Sequence, residues 1–348
     1  MIMKDKKIVE KLIPQICSVK YDGSCGEGIT NKLIGGTPNI RMLRLGLRDR
    51  RHKNVVVKKK SDMIILKGSM LLSRGDPFIL TGLIMHHKIM GYRGSYIRES
   101  CIYENISDEF RKYMVPYFGS LKRPLRRECY LCMEKFSGGR LEGMKDYTGL
   151  IDIISGIAAY YYMNPDKTKN MMLNRYSKED YSRGKRILRK LYDRLDNSVF
   201  GELECVLDDF ISNLDTEFSK NRGVKTFSHN DLSDRNIVRD GNIRIYDWEL
   251  ACLQNPEHDL AEFLISVLHK ISDDEITQLI DRFRSDFYGS IGKNISDEEF
   301  RDIMRYDLLE FAANKLTLLR TAALSMELGF TKDYEKNVCR LYRLLEKE

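Results

Sequence analysis

The first 140 residues alternate short apolar, often β-branched runs with clusters of Gly, Asn and Asp, a pattern typical of strands joined by turns. Two longer segments, 77–90 and 96–113, interrupt these runs and predict helices. The predicted strands cover residues 16–21, 32–34, 40–47, 54–58 and 130–134. The first part of the chain is therefore expected to form a small, strand-rich lobe.

From about residue 142 the apolar residues recur at intervals of three and four, which predicts amphipathic helices. A strand-like segment at 236–247, split by the turn Asp240-Gly241, predicts one β-hairpin among them. The predicted helices cover residues 146–163, 178–195, 202–218, 259–270, 274–288, 297–328 and 332–345. These patterns predict an α+β fold with a β-rich lobe over residues 1–136 and a larger helical lobe over 137–348.

The chain has 348 residues, of which 42% are hydrophobic and 31% charged, and this ordinary balance excludes a disordered or low-complexity protein. The longest mainly apolar stretch, residues 77–85, is far shorter than the ~20 residues that a membrane span needs. The opening segment lacks the apolar core of a secretory signal, so we expect a cytoplasmic protein without membrane contact. The eight cysteines are accordingly expected to be free thiols, the Cys129–Cys132 pair included.

Charge is segregated along the chain, although the net charge is only +7. Residues 1–100 contain 20 Lys and Arg against 8 Asp and Glu, whereas residues 201–300 contain 10 against 22. One interpretation is two solvated surfaces of opposite sign; the other is a cleft with a basic roof for a polyanion and an acidic floor for a metal or a cationic ligand. The basic residues are scattered and accompany no known nucleic-acid-binding motif, so we expect no nucleic acid partner.

The segment with the clearest chemistry is the predicted hairpin and the loop before it. Asp231 and Asn236 lie five positions apart in this loop, and Asp247 follows an apolar strand. Phosphoryl transfer from a nucleotide needs such a set, because one carboxylate must orient and deprotonate the acceptor hydroxyl while an amide and a second carboxylate hold Mg²⁺. The order His229, Asp231, Asn236, Asp247 also matches the kinase catalytic pattern at each place.

The same segment resembles the choline kinase / aminoglycoside phosphotransferase superfamily. The run His229-Asn-Asp-Leu-Ser-Asp-Arg-Asn is similar to the catalytic loop of these enzymes, and Tyr246-Asp-Trp-Glu to their metal-binding strand end. A third segment, Asn255-Pro-Glu-His-Asp-Leu-Ala, is similar to the start of the helix that follows, with Asp259 at the family's Asp. The resemblance implies a protein-kinase-like two-lobed fold and an enzyme that uses ATP and Mg²⁺.

By this resemblance Asp231 is the catalytic base, and Asn236 and Asp247 are the metal ligands. His229 is expected to fix the loop rather than to do chemistry. Arg235 is a candidate for neutralising charge on the transferring group, and Glu249 for orienting the acceptor or the metal.

The remaining parts of a nucleotide site are expected in the first lobe. Gly26 and Gly28 lie in a glycine-rich turn whose backbone N–H groups would approach phosphates. Lys58 follows three valines, as the phosphate-binding lysine of kinases does, and Lys60 is the alternative because it points to the same face of the strand. Glu99 is the expected partner of that lysine on a helix. The segment that resembles the adenine-binding strand between the lobes contains Met133, Glu134 and Phe136.

The predicted activity is transfer of the γ-phosphoryl group of ATP to a hydroxyl of a small molecule. The acidic stretch around the loop favours an acceptor with an amine or quaternary ammonium group. The carboxylates meant here are Asp234, Glu249, Glu257 and Glu262. The candidates for an aromatic cage around such a cation are Tyr160, Tyr161, Tyr162, Tyr306 and Phe311. The alternatives are a peptide or protein Ser/Thr kinase of the same fold, a non-catalytic nucleotide-binding pseudokinase, and a basic nucleic-acid-binding module.

Overall fold

The computed structural model describes residues 2–13, 15–24, 40–48, 51–85, 91–136, 138–221, 223–325 and 328–346. The predicted strand 32–34 and the glycines Gly26 and Gly28 lie outside these residues. The structure therefore leaves the glycine-rich turn as a prediction from sequence.

The first part of the chain forms an antiparallel sheet of five strands in the order β1-β2-β3-β5-β4. These strands are β1 (Ile16–Ser24), β2 (Ile40–Leu47), β3 (His52–Ser61), β4 (Tyr117–Arg123) and β5 (Glu128–Glu134). The helices of this part are α1 (Ile2–Leu12), α2 (Met63–Ser73), α3 (Pro77–Met85) and α4 (Ser95–Asn105). Helices α1 and α2 and strand β4 were not predicted from the sequence, and the predicted helix 96–113 ends at Asn105, where a separate short turn follows.

The two faces of the sheet have different partners because side chains alternate along a strand. On β3, Val55 and Val57 face α1 and are fully buried with Ile8 and Val9. Lys58 and Lys60 point to the opposite face, toward α4 and the rest of the chain. On β5, Cys132 packs on the α1 side and Cys129 in the larger core on the other side. The two thiols of the Cys-x-x-Cys pair are free and buried.

The second part of the chain is mainly helical, with two small β elements that hold the loops between helices. Its helices are α5 (Gly143–Met163), α6 (Lys178–Tyr192), α7 (Leu203–Ser212), α8 (Leu214–Lys220), α9 (Glu257–Val267), α10 (Asp273–Ser290), α11 (Asp297–Phe311), α12 (Thr317–Ala323) and α13 (Thr331–Glu346). Its strands are β6 (Asn174–Arg175), β7 (Thr226–Ser228), β8 (Ile237–Asp240), β9 (Asn242–Ile245) and β10 (Cys252–Gln254). Strand β10 lies between β6 and β7, and β8 pairs with β9 in the predicted hairpin.

Two of the long predicted helices are interrupted. The segment 202–218 breaks between Ser212 and Leu214. The segment 297–328 contains a π-helical turn over Ala312–Leu316, which separates α11 from α12. Helix α9 is buried along its whole length, polar residues included, and the loop 229–236 rests against it.

Helices α2 and α3 lie between β3 and β4 in sequence but contact the helical part. Asp76 forms an ion pair with Arg194 at 2.5 Å, and the ammonium group of Lys190 lies 4.2 Å from the centre of the Phe78 ring. Among the described residues, no helix is long and apolar enough to cross a membrane. The division of the chain near residue 136 stays a prediction.

Candidate active site

The loop from His229 to Asn236, called the catalytic loop below, is held by one face of helix α9. Asp259 accepts hydrogen bonds from the backbone N–H groups of His229, at 2.7 Å, and Asn230, at 2.8 Å. One and two turns further along the helix, Glu262 accepts from Leu232 and Ser266 from Asp234. Because these side chains recur every three or four residues, a single helix face fixes the path of the loop backbone. Asp259 was singled out in the sequence; Glu262 and Ser266 were not given this role.

Within the loop, the predicted base and the predicted metal ligand are in direct contact. The side-chain amide of Asn236 donates to the carboxylate of Asp231 at 2.9 Å and to its backbone carbonyl at 2.7 Å. The side chain of Asp231 stays about one quarter exposed, so part of it remains open to solvent.

His229 is placed to stabilise the loop. Its Nε2 lies 3.0 Å from the backbone oxygen of Tyr246, and its ring packs against Trp248 with 4.4 Å between the ring centres. The residue is only 2% exposed, which leaves no room for substrate at the ring. This position agrees with the expected structural role, and the role itself remains a proposal.

Asp247 lies at the end of the hairpin, where it is reached by two lysines from the sheet. Its carboxylate is 2.5 Å from the ammonium group of Lys58 and 3.2 Å from that of Lys60. Burial alone would raise the pKa of Asp247, but the two lysines outweigh this effect and hold the pKa well below its usual range. The backbone of Asp247 is in the left-handed region, with φ of 66°, as its contacts on both sides require.

Glu99 completes the group from helix α4. Its buried carboxylate is 2.9 Å from Lys58 and 3.7 Å from Lys60. Both candidate lysines therefore reach the cleft, and Lys58 is the one that is closest to Glu99 and Asp247. Lys60 is also paired with Glu249. Burial raises the pKa of Glu249 despite this partner, while Asp247, Glu249 and Glu99 together overcome the burial of Lys60 and raise the pKa of its ammonium group.

The neighbour of Glu99 fixes helix α4 against the hairpin end. The guanidinium group of Arg98 is fully buried and donates to the backbone oxygens of Gly91, Arg93, Met172 and Glu249. These bonds connect the helix that carries Glu99 with the segment that carries Glu249. The sequence offered no signal for this arrangement, because its acceptors are backbone atoms from distant parts of the chain.

The proposed adenine strand is fully paired up to Glu134. The N–H of Glu134 donates to Pro116 and that of Lys135 to Asn54, so Phe136 is the first residue beyond these bonds. The ring of Phe136 lies 5.1 Å from that of Tyr246, next to the hairpin. Met133 is buried and points into the core. Of the three residues singled out, Phe136 is therefore the one that follows the last of these backbone hydrogen bonds and has its ring beside the cleft.

Two residues that the sequence analysis missed approach the catalytic loop. The ammonium group of Lys315 is 2.7 Å from the carboxylate of Asp231, and although its burial opposes charge, Asp231 and Glu262 raise its pKa above the ordinary lysine value. The second is Tyr92, whose pKa is raised to about 12 by burial, with smaller contributions from Glu249 and Asp231. By contrast, the guanidinium group of Arg235 lies 4.1 Å over the ring of Phe330, and its proposed role in charge neutralisation stays a prediction.

The four acidic residues expected to face the acceptor are each paired with other side chains. Asp234 pairs with Arg140 and Lys270, Glu257 accepts from the hydroxyl of Tyr288, and Glu262 pairs with Lys315. Glu249 pairs with Lys60, as described above. None of these four carboxylates lines the cavity between α6, α8, α11 and β10, so these four do not form an open acidic floor there.

That cavity has a volume of about 250 Å³ and lies between α6, α8, α11 and β10. Its walls combine the rings of Tyr176, Tyr181 and Phe218 with the carboxylates of Asp307 and Glu310. A smaller cavity continues from it to Asn230 and Lys315, and the two share Tyr176, Gln254 and Glu310. Among the proposed cage residues, Tyr306 lines the larger cavity, whereas Tyr160 and Tyr161 pack around Phe110.

The part of the chain that contains this site matches a known protein family. Residues 168–289, which contain the catalytic loop and the hairpin, match the model of the phosphotransferase enzyme family. No curated protein matches the sequence.

Solved structures are similar to nearly the whole chain. An ethanolamine kinase of Plasmodium vivax superposes with a TM-score of 0.54 and 12% identity, covering 96% of this chain and 86% of its own. A spectinomycin phosphotransferase, solved with ADP and spectinomycin, gives 0.50 and 12%, with 95% and 94% covered. A choline/ethanolamine kinase family protein of Mesorhizobium loti gives 0.50 and 9%, with 100% and 96% covered. At these identities the likeness establishes the fold.

The α+β fold with two lobes is thus confirmed. Residues 168–289 match the model of a phosphotransferase enzyme family, in agreement with the predicted resemblance and the predicted enzyme class. The solved structures add the kinase-like fold of the chain.

Proposed function

We propose that the protein transfers the γ-phosphoryl group of ATP to a hydroxyl of a small, amine-bearing molecule. The observation that carries this proposal is the meeting of two sets of residues that are far apart in sequence. Lys58 and Glu99 from the sheet side reach Asp247 at the hairpin end, and the hairpin starts directly after Asp231 and Asn236. Kinase chemistry needs these groups together, since catalysis of phosphoryl transfer consists mainly of positioning and charge stabilisation.

On the nucleotide side, the proposed contacts follow from charge. The ammonium group of Lys58, held by Glu99, is available to the α- and β-phosphates, and the strand end at Phe136 to the adenine ring. The backbone of Gly26 and Gly28 is proposed for the remaining phosphate contacts.

The proposed metal ligands have the chemistry that Mg²⁺ requires. Asn236 supplies an amide oxygen and Asp247 a carboxylate with a strongly lowered pKa, and Mg²⁺ prefers one or two such oxygen ligands together with substrate phosphates. In the described part of the chain no group of three or more His, Cys, Asp or Glu forms a self-sufficient metal cage. When bound, Mg²⁺ neutralises charge on the β- and γ-phosphate oxygens.

On the acceptor side, Asp231 is proposed to orient the hydroxyl and to accept its proton. The hydroxyl would arrive through the smaller cavity, which borders Asn230 and Lys315. The rest of the acceptor would occupy the larger cavity, whose size suits a small molecule and not an extended peptide.

The walls of the larger cavity favour a cationic group. The rings of Tyr181 and Phe218 stack with 4.5 Å between their centres, and aromatic faces attract ammonium groups. Glu310 adds a carboxylate, which accepts from the hydroxyl of Tyr181 at 3.2 Å. Lys225 also lines the cavity, where it donates to Asn255, and burial lowers the pKa of its ammonium group.

The experiment is a transfer assay with γ-labelled ATP against alcohols of similar size that are cationic, neutral or anionic. We expect the best acceptor to carry an amine or quaternary ammonium group and to lose kcat/KM as salt rises, because salt screens the attraction. An anionic best acceptor would refute the amine assignment while leaving the kinase assignment intact. Binding of ATP without turnover by the wild-type protein would refute the kinase assignment and favour a pseudokinase, whereas failure to bind ATP would refute both.

A further inference from the structure

We propose that Lys315 is a positioning residue for the reaction: its ammonium group fixes the Asp231 carboxylate and the adjoining backbone of the catalytic loop. The inference rests on the proposed function, since it explains how the proposed base is held. It concerns a residue in the π-helical turn over Ala312–Leu316, far from the loop in sequence.

The ammonium group of Lys315 bonds to the catalytic loop and to helix α9, which supports the loop. The ammonium group lies 2.7 Å from an oxygen of Asp231, 2.6 Å from an oxygen of Glu262 and 3.0 Å from the backbone oxygen of Asn230. A lysine has three N–H donors, and here all three have partners. A fully paired ammonium group is suited to hold other groups in place rather than to bind substrate.

Two of the three partners, Asp231 and Asn230, belong to the catalytic loop itself. Asn230 adopts a left-handed backbone conformation, with φ of 57°, which is uncommon for a non-glycine residue and which asparagine tolerates better than most. Its N–H is held by Asp259, and its carbonyl oxygen is held by Lys315. The peptide groups on both sides of Asn230 are therefore held by hydrogen bonds.

The third partner links Lys315 to helix α9. Glu262 accepts from the N–H of Leu232 with one oxygen and from Lys315 with the other. Asp231, between Asn230 and Leu232, is in this way fixed through its side chain and through both neighbours. Of the basic residues that the structure describes, Lys315 is the one within 4.0 Å of the Asp231 carboxylate.

The π-helical turn supplies the geometry. Its hydrogen bonds span one residue more than those of an α-helix, which changes the direction in which side chains leave the helix. Within the turn, Asn314 donates to Glu310 while Lys315 reaches the catalytic loop. Such turns are frequent at functional sites.

The test compares Lys315→Met and Lys315→Arg with Lys336→Met, which removes an exposed lysine of α13. The first readout is hydrogen exchange of the loop amides, and it needs no acceptor or turnover. In Lys315→Met we expect amides of residues 229–236 to exchange on the order of 10-fold faster, while those of α10 keep the wild-type rate. The arginine variant, which retains the charge, should lie between, and Lys336→Met should match wild type.

The second readout is ATP turnover. In Lys315→Met we expect kcat to fall about 10²-fold, because a displaced base costs about that much, with KM for ATP within about 2-fold of wild type. If Lys315→Met does not fold, the arginine variant decides: the inference requires kcat below wild type with KM for ATP retained. Wild-type exchange in the loop of a folded Lys315→Met variant would overturn the inference and leave the proposed function standing. An inactive wild type would refute the proposed function, and the exchange result would still decide whether Lys315 holds the loop.

Discussion

The ammonium group of Lys58 lies 2.5 Å from the carboxylate of Asp247, although 189 residues separate them in the chain. Lys58 comes from the central strand of the sheet, and Asp247 from the end of the hairpin in the helical part. The pair joins the proposed phosphate-binding group to the proposed metal ligand. In the state described here, Asp247 is neutralised by lysines, and we propose that nucleotide and Mg²⁺ take over this neutralisation.

The first prediction concerns Asp231. Replacing it in Asp231→Asn keeps the size and the contact with Asn236 but removes the proton acceptor. We expect kcat to fall at least ~10²-fold with little change in ATP affinity, measured by turnover and by nucleotide titration. Asp240→Asn, at the exposed hairpin turn, is the matched control and should behave as wild type. Near-full turnover in Asp231→Asn would show that the base lies elsewhere.

Asp247→Ala should behave differently, because it removes a metal ligand rather than a base. We expect the Mg²⁺ concentration needed for half-maximal activity to rise and ATP binding in the presence of Mg²⁺ to weaken in parallel. Mg²⁺ titrations at fixed ATP measure this, with Asp274→Ala on exposed α10 as the control. An unchanged Mg²⁺ requirement would move the metal site away from Asp247.

Three neighbouring lysines of β3 provide a matched series. Lys58→Ala should raise KM for ATP and lower kcat, because Lys58 is paired with both Glu99 and Asp247. Lys60→Ala should change KM less but lower stability, because it leaves the carboxylate of Glu249 without its partner. Lys59→Ala, on the other face with Glu128, is the control. Kinetics and thermal unfolding separate the three, and the reverse KM ranking would assign the phosphate contact to Lys60.

The selectivity for amines is tested by Glu310→Gln. This variant keeps the shape of the side chain and removes the negative charge at the cavity wall. We expect kcat/KM for a cationic alcohol to fall roughly 5- to 50-fold, and that for a neutral alcohol of the same size to stay within about 2-fold. Equal losses for both alcohols would indicate a packing role for Glu310 and remove it from cation recognition.

Stability should fall as pH rises from about 4.5 to about 7. Burial raises the pKa of Glu257 to about 7 in the folded protein, above the ordinary value of 4.5, so the folded state holds a proton that the unfolded state has already released. The contribution of Glu257 is therefore present below pH ~4.5 and is lost as pH rises through ~7, at a cost on the order of 3 kcal/mol.

Urea unfolding at a series of pH values measures this dependence. Glu257→Gln, which keeps an acceptor for the hydroxyl of Tyr288, should flatten it over that range. Glu298→Gln, on the exposed start of α11, is the control. A Glu257→Gln variant with the wild-type pH profile would assign the dependence to other groups, such as Asp307, whose pKa burial raises to about 8.

Much of the fold could be predicted because its elements carry strong local patterns. Strand β3 contains three consecutive β-branched valines, and helices such as α6 and α10 have apolar residues at regular helical spacing. Prediction failed for α1, α2 and β4. In α1 the apolar stripe of Ile8 and Val9 is too short to predict a helix by itself. The helix is stabilised by packing of these residues on one face of the sheet.

For the active site, the sequence by itself determined the groups that lie close together along the chain. Asp231, Asn236 and Asp247 are confined to one loop and its hairpin, so their spacing already implied their chemistry. The candidate partners Lys58 and Glu99 rested on resemblance and strand alternation, and the contact between them is a property of the packed structure.

Only the tertiary structure decided which distant charges meet. The acidic residues of the stretch 201–300 suggested an open acidic floor, but folding pairs Asp234, Glu257 and Glu262 with partners from other elements. The contact of Lys315 with Asp231 depends on a π-helical turn and on the packing of α9 against the catalytic loop. No local pattern encodes such pairs, because charges separated by many residues approach each other only when the core places their elements side by side.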